Sequence, residues 1–153
     1  MKPDHQAAVR TIFIADDDED DVYFVKTALA SVNPEIKAQH FTKGDELIAT
    51  LKNYIPDILF LDLDMPGANG LQCIQAIQSN PGTANLPIVI FSSTNQPSNV
   101  STAYEIGAHL FFKKPSSFSA LVSALNTILN LDWRNPDAIK ERYFINGRYE
   151  AFA

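Results

Sequence analysis

Short apolar runs alternate along this chain with longer stretches whose apolar residues recur every three or four positions. Thr11 to Ala15, Ile58 to Leu61, Ile88 to Phe91 and Leu110 to Phe112 are short and almost wholly apolar. Such runs, bounded by turn residues, read as strands buried on both faces. Ile36 to Phe41 is half polar and alternates, as an edge strand would. Between these runs, Val22, Val25, Leu29 and Val32 recur at helical spacing. So do Leu47, Ile48 and Leu51, then Leu71, Ile74 and Ile77, then Phe118, Leu121, Leu125 and Ile128. Gln96 to Ile106 is the least apolar helical candidate, with only Val100, Ala103, Tyr104 and Ile106 for an inner face. Asn33-Pro34, Asn80-Pro81-Gly82 and Gly107 mark helix ends. Five strands alternating with five helices predict an α/β fold, a parallel sheet covered on both sides.

Composition narrows the picture. The 153 residues suit one domain with a proper core, and 46% hydrophobic content excludes a disordered chain. Residues 1–9 are polar and expected to be flexible, and 10–131 form the folded domain. Residues 132–153 make a short tail holding Trp133, Tyr143, Phe144, Tyr149 and Phe152. So aromatic a tail is expected to dock, on its own domain or on a partner, a second copy (a homodimer) included. The net charge of -6 argues against direct DNA binding. Cys73 stands alone, so no internal disulfide forms. No apolar run approaches a membrane span and the first nine residues lack a signal-peptide core, so a cytoplasmic location is expected. His5, His40 and His109 show no metal-ligand spacing.

The chemistry lies at the strand ends. The first strand runs into Asp16 and Asp17, opening an acidic cluster that reaches Asp21. The third ends at Asp62, the fourth at Ser92, the fifth before Lys114. In a parallel sheet these residues share the C-terminal edge, where open α/β sheets bind ligands. Three carboxylates crowded together repel unless a cation sits among them, and oxygen-only ligands suit Mg²⁺. A hydroxyl and an ammonium alongside suit a phosphoryl group. Together they are what phosphoryl transfer to a carboxylate requires, with Asp62 attacking.

At this point the chain resembles the CheY-like receiver domains of two-component response regulators, over about Arg10 to Leu131. The matching pieces are Ile14-Ala15-Asp16-Asp17-Asp18, Leu61-Asp62-Leu63-Asp64-Met65-Pro66 with Gly70 following, Phe91-Ser92-Ser93, and Lys114-Pro115. The resemblance implies a flavodoxin-like (βα)5 doubly wound fold with strand order 2-1-3-4-5. It implies that Asp62 is the phosphoacceptor, and that Asp16, Asp17, Asp62 and the backbone carbonyl of Asp64 hold Mg²⁺. Ser92 would be the switch hydroxyl, Lys114 the phosphoryl contact and Phe111 the switch aromatic, turning inward on phosphorylation. The Lys114–Pro115 bond would be cis. Donors would be a sensor histidine kinase or a phosphotransfer protein. The output would be a switched contact with a protein target, from a stand-alone regulator that catalyses only its own phosphorylation and dephosphorylation. Two rivals remain. One is a phosphorylation-independent binding module. The other is an Asp-x-Asp phosphatase of the haloacid dehalogenase type, for which Asp62-Leu63-Asp64 lies unusually late in the chain.

Overall fold

The computed structural model describes residues 9–65, 69–94 and 96–152. Expectations for residues 1–8 and for Pro66-Gly67 lie outside the described residues. The order of elements is β1 (Thr11–Ala15), α1 (Glu19–Val32), β2 (Lys37–Phe41), α2 (Gly44–Leu51), β3 (Ile58–Leu61), α3 (Gly70–Ser79), β4 (Ile88–Ser92), α4 (Pro97–Ile106), β5 (Leu110–Lys113) and α5 (Phe118–Leu129). The five strands form one parallel sheet, order β2-β1-β3-β4-β5, as expected for a flavodoxin-like fold.

Successive strand residues face opposite sides of the sheet, so each strand feeds two cores. Phe13, Leu59, Leu61, Ile90 and Phe111 pack under α2, α3 and α4. Ile12, Ile14, Phe60, Val89 and Phe112 pack under α1 and α5. This two-sided burial is why the strands are nearly continuous apolar runs. β2 is the exception: it is an edge, and its side chains alternate between exposed and partly buried up to Phe41.

Register sets the site. Ala15 pairs with Leu61, so Asp16 and Asp62 leave adjacent strands at the same level. Ser92 pairs with Lys113, and the Lys114 N–H donates to the Ser92 carbonyl at 2.7 Å. Ser92 and Lys113 therefore extend β4 and β5 by one residue beyond the apolar runs.

The tail is structured. Pro136–Glu141 form a sixth helix, α6, and Phe144–Ile145 (β6) pair antiparallel with Arg148–Tyr149 (β7). The hairpin turn has Asn146 at φ 54° and Gly147 at φ 83°, the left-handed pair that a two-residue hairpin loop demands. Ile139 is buried against α5, and the Trp133 indole N–H donates to the Ile128 carbonyl at 2.8 Å. Tyr149 stacks on Tyr104 of α4 at 4.7 Å between ring centroids. Phe152 forms a parallel bridge to Phe112, and its N–H donates to the Phe111 carbonyl at 2.7 Å. The chain thus lays its own end along β5, the strand edge that an unpaired neighbour could otherwise exploit. α4 is not left with a thin apolar face, because Tyr149 supplies what its own sequence lacks.

Candidate phosphoacceptor site

Two aspartates with matching local geometry build the floor of the site. The Asp18 N–H donates to Asp16 Oδ1 at 2.9 Å, and the Asp64 N–H donates to Asp62 Oδ1 at 3.0 Å. Each carboxylate is thereby fixed by the backbone two residues on, with its second oxygen free to face inward. Both second oxygens converge on one ammonium. Lys114 Nζ lies 2.9 Å from Asp16 Oδ2 and 3.1 Å from Asp62 Oδ2. The Asp16 contact is an ion pair without hydrogen-bond alignment, so this buried oxygen keeps acceptor capacity. Asp16 and Asp62 are almost fully buried, whereas Asp17 is exposed.

Burial lifts the Asp16 carboxyl to about 6, helped by the charge of Asp62 and opposed by the Asp18 N–H and by Lys114. Burial alone would depress the Lys114 ammonium. Asp21, Asp16 and Asp62 outweigh it and hold the pKa above its ordinary value. Asp16, Asp17 and Asp62 each offer a carboxylate oxygen, all within 4.8 Å of one another. An all-oxygen set of this size fits a hard divalent cation, and Asp16 Oδ2 is the oxygen with capacity to spare.

The other expected residues border this centre. Ser92 is buried, and its hydroxyl accepts the Thr94 N–H at 3.3 Å. The side chain of Asp64 is exposed, and its backbone reaches the site through the N–H given to Asp62. Phe111 is fully buried among Leu61, Ile90 and Tyr104, so the inward position is the one seen here. Its N–H donates to the Tyr104 hydroxyl at 3.0 Å. The Lys114–Pro115 bond is trans, against the cis form expected from the resemblance. Trans is the intrinsically favoured isomer of an X–Pro bond, by about 0.5–1 kcal/mol.

Two site residues were not anticipated. Asp21, in the first turn of α1, makes the shortest contact to Lys114, 2.7 Å from Oδ2 to Nζ. The helical register held the signal: Asp21 precedes the buried Val25 by four residues and so shares its face. His40 on β2 donates its Nε2–H to the Asp16 carbonyl at 2.7 Å, tying the edge strand to the acidic loop. Strand alternation alone gave no sign of that contact.

A buried strand-end aspartate, an acidic cation pocket and a lysine, set on a 2-1-3-4-5 parallel sheet, define a CheY-like signalling fold. The family model for the response regulator receiver domain matches residues 12–126, and the chain belongs to that family. A probable cyclic di-GMP phosphodiesterase of Vibrio cholerae is 32% identical over 119 residues, which are 78% of this chain and 26% of that protein. The chain thus spans about a quarter of that relative. Protein PilH of Pseudomonas aeruginosa is 25% identical over 77% of this chain and 96% of its own length. Among solved structures, the phosphorylated cyanobacterial phytochrome response regulator RcpA superposes with a TM-score of 0.73 at 23% identity, covering 79% of this chain and 91% of that one.

Proposed function

We propose that this receiver takes a phosphoryl group onto Asp62 from a phosphohistidine of a sensor kinase or phosphotransfer protein. The observation that carries this reading is the placement of Asp62, buried, within 4.8 Å of Asp16 and Asp17 and 3.1 Å from Lys114. An Asp62 carboxylate oxygen attacks phosphorus, the P–O bond forms and the P–N bond to the donor histidine breaks. Lys114 meets a phosphoryl oxygen as a point charge, and the Ser92 hydroxyl turns from the Thr94 N–H to donate to another. Asp16, Asp17, Asp62 and the Asp64 carbonyl would hold Mg²⁺, which neutralises charge on the transferring group. The chain turns over no substrate beyond its own acyl phosphate, and it works in the cytoplasm.

Output passes through β5. Phosphorylation adds up to about two negative charges at Asp62 and draws on Lys114. Phe111 lies three residues before Lys114 and is gripped at its N–H by Tyr104 and at its carbonyl by Phe152. A shift at Lys114 is therefore felt by α4 and by the tail, the surface offered to a downstream protein or to a second copy of this chain. Incubation with phosphorylated donor protein tests the reading. Label should transfer to the wild type, be released by hydroxylamine as an acyl phosphate is, and be absent from Asp62→Asn. Label on Asp62→Asn, or label stable to hydroxylamine, would refute it.

A further inference from the structure

Lys114 and a divalent cation compete for the same carboxylates. Asp16 Oδ2 and Asp62 Oδ2 face the ammonium at 2.9 and 3.1 Å, and both residues belong to the carboxylate triad that would hold the cation. A cation entering the triad draws those carboxylates toward itself and repels the ammonium. Phosphoryl transfer nevertheless needs the lysine and the cation present together. Asp21 lies outside the triad, makes the shortest of the three contacts and stands on a fixed backbone. Its N–H is held by Asp18 Oδ1 at 3.2 Å, and Val22 and Val25 bury the helix that carries it. On its side the lysine has room: Asp21, Phe24, Phe91, Lys114 and Pro115 line a cleft of about 270 Å³, and the ammonium already sits over the Phe91 ring at 5.2 Å.

We propose that Asp21 is a positioning residue, the anchor that keeps Lys114 at the site when a divalent cation occupies Asp16, Asp17 and Asp62. This deepens the function proposed above and rests on its cation site. Without Asp21 the lysine has only the two carboxylates that the cation claims, and it leaves when the cation binds.

The test uses full-length protein, Mg²⁺ alone as the probe and an amine-acetylating reagent, with Lys114 modification read by peptide mass spectrometry. In the wild type, Lys114 stays protected with and without Mg²⁺. In Asp21→Asn, Mg²⁺ raises its modification several-fold, and Asp21→Glu restores protection. Asp20→Asn, which removes the same charge from an exposed neighbour, behaves as wild type. In phosphoryl uptake at saturating Mg²⁺, Asp21→Asn is slower than wild type but adds no further loss in a Lys114→Gln background. Mg²⁺-independent protection of Lys114 in Asp21→Asn, or a full additional loss in the double variant, overturns the proposal. Calorimetry separates the two levels. If Mg²⁺ does not bind, or binds Asp17→Asn as well as wild type, the cation site itself fails and the proposal with it. If Mg²⁺ binds through Asp17 while Asp21→Asn stays protected, only the role of Asp21 fails.

Discussion

Tyr104→Phe isolates one hydroxyl at the junction of α4, β5 and the tail. The ring stays, so the stack on Tyr149 and the packing around Phe111 are unchanged in volume. What is lost is the acceptor for the Phe111 N–H, 3.0 Å away in a fully buried setting. Water cannot replace it without opening the contact between α4 and β5. A buried donor left unsatisfied costs about 1–3 kcal/mol. With a urea m-value of about 1–3 kcal/mol/M, a loss near 2 kcal/mol lowers the unfolding midpoint by about 1 M. The thermal midpoint should fall by roughly 4–8 °C in a domain of this size. Equilibrium urea unfolding followed by circular dichroism measures the effect. A midpoint within about 0.2 M of wild type at equal m would show that the Tyr104 hydroxyl is not the partner the Phe111 N–H depends on.

Gly70→Ala would place a Cβ 2.5 Å from Leu63 Cα and 2.7 Å from the Asp62 carbonyl, so it should destabilise the protein by about 1–3 kcal/mol and slow phosphoryl uptake, as chemical unfolding and uptake rates would show. Lys114→Gln removes the cation from between Asp16, Asp21 and Asp62, so the metal-free protein should melt lower and gain more from added Mg²⁺ than wild type does; equal gains in a thermal scan would contradict this. His109 is buried with its Nδ1 accepting the Ile88 N–H, and burial lowers its pKa from 6.5 to about 4 despite Asp137. The unfolded chain therefore takes up this proton first, and stability present above pH 6.5 is lost as pH falls toward 4, by at most about 3 kcal/mol. His109→Gln should flatten that slope in urea unfolding measured between pH 7 and 4.

The sheet was legible because its strands other than β2 are buried on both faces and say so in unbroken apolar runs such as Ile58–Leu61. The candidate site was legible because strand ends are read directly off those runs: Asp16, Asp62 and Ser92 each follow one directly, and Lys114 comes one residue further on. Asp21 was hidden by its neighbours, since an acidic stretch at a helix start is explained by capping and the helix dipole, as Asp18 does in fact cap α1. The contact of His40 with Asp16 spans 24 residues and depends on the β1–β2 register, which no local pattern encodes. The tail is mixed. Asn146-Gly147 between Phe144-Ile145 and Arg148-Tyr149 is a hairpin signal in the sequence itself. Its seat against Tyr104 and Phe112 follows only from how the folded domain leaves β5 at the edge.

Asp62 is proposed to carry a phosphoryl group with the help of a cation held by its acidic neighbours. Intact mass after incubation with acetyl phosphate, with and without Mg²⁺, tests it most directly on wild type and Asp62→Asn. The expected result is a gain of one phosphoryl group in wild type that requires Mg²⁺, is reduced in Asp17→Asn and is absent in Asp62→Asn. A gain that persists in Asp62→Asn, or that ignores Mg²⁺, would contradict it.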